Sequence, residues 1–200
     1  MNTFGLHTFA IAPVWDLDLI EPQMERLKGL GIGLLEIPLL RPEEIDTKRT
    51  RAFAERWNVE LIPSLGLPAS LDVVARPDEA LAFLEPAFGV CEAVGSAALG
   101  GVTYGTIGKT SGRAPTEQEI DGMCRFLVRA AKAATAHGLK LGIEPCNRYE
   151  THLINRGIDA TRINEITEGA DVGFGSFYNH FESKDAVVAA VVEDAAGAIG

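Results

Sequence analysis

Short apolar runs alternate with longer stretches of helical periodicity along most of the chain. Residues 3–12 are mostly apolar, enclose His7 and stop at Pro13, which predicts a first strand. Leu19, Ile20, Met24, Leu27 and Leu30 then recur at helical spacing, predicting a helix over 17–30 closed by Gly31. Residues 33–38 (GLLEIP) read as a second buried strand carrying Glu36. Pro42, followed by Ala52, Phe53 and Trp57, marks a helix over 42–57. A third strand is expected over 59–64, ending at the turn-rich Gly66-Leu67-Pro68, and a helix over 77–94 that Pro86 kinks or splits. Residues 97–102 give a fourth strand, followed by a Gly/Thr loop through Arg113. The next helix runs to His137, with Thr116 as N-cap and Gly138 as its stop. Residues 139–144 form the fifth strand.

This alternation suits parallel βα units with right-handed crossovers, so consecutive strands should lie side by side. His7, Glu36, Ser64, Thr103 and Glu144 all fall at strand ends. In a (β/α) barrel those ends form the mouth that carries catalytic groups. A complete eight-fold barrel needs roughly 250 residues. The expected fold is therefore α/β, an incomplete TIM barrel of about four and a half βα units over residues 1–156.

Beyond Gly157 the pattern changes. No apolar strand run and no strand-end carboxylate or histidine recurs at the expected interval. Residues 159–170 read as a short helix, 173–181 as an aromatic-rich tight segment, and 183–196 as an Ala/Val helix with Ser183 as N-cap. Two helices around a Gly-containing turn have helix-turn-helix spacing, so residues 157–200 are expected to be a short all-α segment.

Composition narrows the setting. Hydrophobic residues make up 46% of the chain, enough for one good-sized core. A net charge of −10 disfavours non-specific binding to nucleic acid or anionic membrane by the chain as a whole. Cys91, Cys124 and Cys146 are odd in number and widely spaced, as reduced thiols are. With no Lys or Arg before Arg26 and no long apolar run, neither a signal peptide nor a membrane span is expected, and a cytoplasmic location follows.

The richest chemistry lies in Ile143-Glu144-Pro145-Cys146-Asn147-Arg148-Tyr149-Glu150, where one carboxylate ends a strand and a second follows in a polar loop. At a barrel mouth Glu144 suits a metal ligand or an acid/base group; the alternative is a strand-end carboxylate paired with Arg148. IEPCNRYETHLIN, with GLHTF, LLEIPLL and GLKLGIEPCNRYE, resembles the D-tagatose/D-psicose (allulose) 3-epimerase group of xylose-isomerase-like barrels, over about residues 3–157. The resemblance implies that Glu144 binds a divalent ion, Mn²⁺ or Co²⁺ with Mg²⁺ as a further option, and is one of two glutamates that move a proton at C3 of a ketose. It implies that Glu150 holds the hydroxyl end of the sugar, and that His7 and Gly66 line the pocket. Such an epimerisation needs polarised ketose oxygens and carboxylates on both faces of C3. Oxygen-rich ligands suit Mn²⁺ or Co²⁺, which leaves Cys146 to pack its loop. In that group an Asp, a His and the second catalytic Glu come from later strands, which residues after 157 do not match. Weak or no activity is therefore expected from the chain alone, and open barrel edges favour self-association.

RGIDATRINEITEGADVGFGSFYNHFESKDAVVAAVVED resembles the TetR/AcrR-type helix-turn-helix DNA-binding domain over about residues 156–195, with that domain's first helix missing. The resemblance implies a first motif helix from Thr161, a recognition helix exposing Ser176, Tyr178, Asn179 and His180 to DNA, and Lys184 at a phosphate. Such side chains can read base edges and backbone. Against this, Phe174, Phe177 and Phe181 also fit a core, and residues from 158 onward carry two basic and eight acidic side chains, poor for phosphate attraction. Three readings follow: a truncated relative of a metal-dependent ketose 3-epimerase fused to a partial TetR-type motif, a TetR-like regulator acting through residues 161–184, or a fusion or assembly product without evolved joint function.

Overall fold

A computed structural model describes residues 4–160 and 163 of this chain. Five parallel strands form one sheet in sequential order: β1 (Phe4–His7), β2 (Ile32–Pro38), β3 (Glu60–Leu67), β4 (Ala98–Thr106) and β5 (Lys140–Leu141). The crossovers carry α1 (Leu17–Ile20) and α2 (Met24–Gly29), then α3 (Thr47–Trp57), α4 (Pro77–Val94) and α5 (Glu117–Ala136). This is the α/β, barrel-type arrangement that the alternating pattern predicts, with four crossovers and a fifth strand.

Several boundaries move for local reasons. The first strand stops at His7 rather than Ala12, because the His7 side chain caps a 3-10 turn, Thr8–Ala10, by accepting the Phe9 N–H. The helix expected over 17–30 is interrupted by a 3-10 turn at Glu21–Gln23, where Pro22 has no N–H to give. The helix expected over 42–57 likewise divides into a 3-10 turn, Pro42–Glu44, and α3, which starts afresh on the Asp46 N-cap. Pro86, by contrast, does not split α4. β3 and β4 outrun the expected strands, since Leu65, Leu67, Tyr104 and Thr106 are all buried. β5 has a ladder of only two residues, but its line continues through Gly142 N–H to Leu99 O (2.7 Å) and Glu144 N–H to Gly101 O (3.0 Å).

The core lies between one sheet face and the helices. Leu35, Ile37, Leu65 and Leu67 alternate along β2 and β3 to meet Phe53, Leu84, Phe88, Phe126 and Leu127, all buried. Each such side chain contributes about 1.5–3 kcal/mol on burial. α5 is fixed by a capping box: the Glu119 N–H donates to Thr116 Oγ1 (3.3 Å), and the Thr116 N–H donates to Glu119 Oε2 (2.8 Å). Between β3 and β4 the backbones approach closely at Gly101, whose φ is +100°; a Cβ there would lie 2.3 Å from the Leu65 carbonyl oxygen. The register jumps just beyond, from Gly66 opposite Val102 to Leu67 opposite Thr106.

The opposite sheet face is lined differently. His7 pairs in register with Glu36, and Glu36 with Ile62. Among the described residues, no helix is long and apolar enough to cross a membrane.

Candidate functional site

Successive strands deliver polar side chains to one end of the sheet. On β1, His7 Nδ1 accepts the Phe9 N–H at 3.0 Å, which leaves Nε2 to carry the proton in the neutral ring. That Nε2 lies 3.8 Å from Glu36 Oε1 on β2. The imidazole also packs on the Phe9 ring, with centroids 4.5 Å apart.

Glu144 follows β5, its N–H anchored to Gly101 O. Its side chain reaches solvent, yet its carboxyl titrates above the usual carboxylate range. Desolvation by the neighbouring sheet is the largest cause; Glu36 raises it further, His7 opposes, and Glu150 adds a smaller push upward. Three carboxylates and one imidazole from β1, β2 and the segment after β5 therefore share one electrostatic environment. The Arg148 pairing is not formed: among the described residues, no ion pair or hydrogen bond joins Arg148 to Glu144.

Glu150 sits in a tight turn. Asn147 Nδ2 donates to Glu150 Oε2 at 2.7 Å, and the Glu150 N–H donates to Asn147 O at 3.0 Å. The Glu150 carbonyl accepts from the Gly108 N–H at 2.8 Å, and Lys109 forms an isolated parallel bridge to Thr151. The loop after β4 thus braces the loop that carries Glu150. From below, Ile154 O accepts both the Tyr104 hydroxyl and the Cys146 N–H, each at 3.1 Å, while Asn155 Nδ2 ties Cys146 O (2.9 Å) to Thr151 O (2.8 Å). Tyr104 is fully buried, and burial pushes its phenol above the usual range, so it remains a neutral donor.

Cys146 is buried within this loop, and desolvation, then Glu144 and Glu150, push its thiol up to about 11. In the structure the thiol packs within this loop, its Sγ 3.6 Å from the Glu144 carbonyl oxygen. Gly66 faces the next loop: a Cβ there would meet Ile107 Cδ1 at 2.3 Å, so the missing side chain makes room for Ile107. Thr103 pins β5 by donating its hydroxyl to Gly142 O at 3.1 Å, and Ser64 is buried on β3. Of the expected site residues, His7, Glu144 and Glu150 are brought together, while Thr161, Ser176, Tyr178, Asn179, His180 and Lys184 lie outside the described residues. Glu36 joins the cluster as a direct neighbour of His7; its strand-end position signalled it. Tyr104 gave no sequence signal, because a buried tyrosine in a strand reads as core.

Among the described residues, no group of three or more His, Cys, Asp or Glu side chains is placed to hold one metal ion. The cluster can hold and move a proton and can hydrogen-bond hydroxyls.

Comparison with known proteins gives two likenesses. An L-ribulose 3-epimerase of Methylomonas sp. (strain DH-1) is 35% identical, over 78% of this chain and 56% of its own length. A ketose 3-epimerase of Arthrobacter globiformis is 25% identical, over 90% of this chain and 64% of its own length. The crystal structure of D-allulose 3-epimerase from Methylomonas sp. in complex with D-allulose superposes with a TM-score of 0.74 at 26% identity, covering 83% of this chain and 59% of that one. The chain thus spans little more than half the length of such relatives. Separately, residues 152–191 match the family described as bacterial regulatory proteins, tetR family, a match that begins before residue 157, where the sequence pattern is expected to change. Over its described barrel-type part the chain resembles the ketose 3-epimerase group, and over residues 152–191 it resembles the tetR family of bacterial regulatory proteins.

Proposed function

We propose that residues 4–156 form one half of a ketose 3-epimerase-type site, in which Glu144 moves the proton at C3 and Glu150 holds a sugar hydroxyl. The observation that supports this is the gathering of Glu144, Glu36, Glu150 and His7 at the ends of parallel strands, with the Glu144 pKa raised. A carboxylate whose proton affinity is raised is a better base at the carbon beside a carbonyl. Glu150, aligned by Asn147, retains an oxygen to accept a ketose hydroxyl. His7 Nε2–H is a donor at the same mouth, and Gly66 lets the Ile107 side chain close the neighbouring wall.

The epimerase likeness adds a divalent ion, Mn²⁺ or Co²⁺, or alternatively Mg²⁺, which would polarise the ketose oxygens with Glu144 as one ligand. The described residues do not complete such a centre. They also supply one positioned base to C3, whereas inversion there needs a group on each face. The 200-residue chain is accordingly expected to bind a ketose and to turn it over weakly or not at all. Among the described residues the sheet order leaves β1 and β5 as edges, through which self-association is proposed. Three buried free thiols accord with a reducing, cytoplasmic setting.

The test is thermal unfolding with D-allulose or L-ribulose in the presence of Mn²⁺. A rise in Tm that Glu144→Ala abolishes is expected; no rise with either sugar in the unmodified chain would end this reading.

The match of residues 152–191 favours a second activity, DNA binding through Thr161, Ser176, Tyr178, Asn179, His180 and Lys184. It predicts a salt-sensitive footprint on a palindromic site that Tyr178→Ala removes. A chain with no footprint at low salt lacks this activity, and the two segments are then joined without a shared function.

A further inference from the structure

The mouth holds a donor and an acceptor that stand side by side without bonding to each other. His7 Nδ1 accepts the Phe9 N–H at 3.0 Å, so the imidazole proton sits on Nε2. Glu36 Oε1 lies 3.8 Å from that nitrogen, beyond the range of a direct N–H···O bond. The fold fixes the pair: His7 is opposite Glu36 in the β1–β2 ladder, and the Thr8 hydroxyl donates to Glu36 O at 3.2 Å. Among the described residues, neither His7 Nε2 nor the Glu36 carboxylate has a hydrogen-bond partner. Both side chains are about a third exposed, at 34% and 35%. Among the described residues, the one unpartnered side-chain nitrogen or oxygen that is shut off from solvent is His152 Nδ1. His7 Nε2 and the Glu36 oxygens therefore reach solvent.

One atom about 2.8 Å from each partner can close the gap between them. It must accept from Nε2–H and donate to a carboxylate. A hydroxyl does both, whereas a carbonyl cannot donate, an ammonium cannot accept, and a carboxylate or phosphate meets the Glu36 charge. The flank is apolar. Phe9 packs on the imidazole with ring centroids 4.5 Å apart and is 51% exposed, which suits the C–H face of a carbon that bears the hydroxyl. We infer that His7 and Glu36 clamp one ketose hydroxyl, other than the one Glu150 takes, which makes Glu36 a specificity-determining residue. The clamp rests on the ketose 3-epimerase-type reading of this mouth and adds to it a demand for one further free hydroxyl. A sugar without that hydroxyl leaves Nε2–H and the carboxylate unpaired in the complex and is rejected.

The test is calorimetric titration of the full chain with D-allulose in the presence of Mn²⁺. His7→Phe, which keeps a ring, and Glu36→Leu should each weaken binding about tenfold. Because both act on one hydroxyl, the double variant should fall well short of the roughly hundredfold loss that independent contacts give. A second readout needs no substitution: saturating D-allulose should move the His7 Nε2–H proton resonance downfield in the unmodified chain. Unchanged binding in either single variant, additive losses, or an unmoved resonance would overturn the clamp. If D-allulose binds and Glu144→Ala weakens it while His7→Phe and Glu36→Leu do not, the clamp fails alone. If the unmodified chain binds neither D-allulose nor L-ribulose, the reading beneath it fails as well.

Discussion

Replacing Tyr104 by Phe removes one hydroxyl from the fully buried underside of the carboxylate loop. That hydroxyl donates to Ile154 O at 3.1 Å, but the same oxygen also accepts the Cys146 N–H, so the carbonyl keeps one partner after the change. Losing a buried hydrogen bond costs about 0.5–1.5 kcal/mol when no group is stranded, and about 1–3 kcal/mol when one is. Because Ile154 O is not stranded and the ring volume is kept, about 1 kcal/mol is expected. For a domain of this size that corresponds to a fall in Tm of roughly 2–4 °C. The neutral phenol cannot ionise in place, so the difference should be flat from pH 6 to about pH 9. Calorimetry on Tyr104→Phe and the unmodified chain across that range is the assay. Amide hydrogen exchange at Cys146 and at Glu144 adds a local readout and should accelerate on the substitution. A variant as stable as the parent, with unchanged exchange, would refute the role given to Tyr104 as the post beneath the loop.

Other perturbations report on neighbouring parts of the same frame. Gly101→Ala places a Cβ against the Leu65 carbonyl at φ +100°; the conformation alone costs about 1–3 kcal/mol and the clash adds to it, so denaturant unfolding should show a larger loss than Tyr104→Phe. Glu119 has a depressed folded pKa, so its stabilisation is present above the usual value near 4.5 and is lost as pH falls through the folded value. Glu119→Gln should therefore lower Tm at neutral pH and flatten the acid limb of the stability curve; an unchanged acid limb would exclude this role.

Much of the frame is legible in the sequence because period and punctuation agree. The Thr116–Glu119 capping box, the run of parallel strands and the placement of Glu144 at a strand end all follow from local chemistry. What the sequence conceals is mostly non-local. Pro22 and Pro42 signal breaks, but periodicity alone carries a helix across both. The early end of the first strand depends on a His7 side chain turning back to its own backbone. The site is half legible: the carboxylates stand at expected strand ends, whereas the posts beneath them, Tyr104 and Asn155, act across long sequence separations or from within a coil. The contact between His152 and Glu119 is hidden for the same reason, since the two lie 33 positions apart.

The strand ends hold Glu144 against its own electrostatics, as the proposed proton transfer requires. Its raised pKa means that the folded state binds more protons than the unfolded chain between the two values, so stability contributed by this group falls as pH rises through that window. The decisive measurement is the Tm of Glu144→Gln relative to the unmodified chain from pH 3 to about pH 8. A more stable variant at neutral pH, with the gain vanishing at acid pH where Glu144 is protonated, is the predicted result. A variant that is less stable at neutral pH would show that Glu144 is a structural ion-pair partner and contradict the claim.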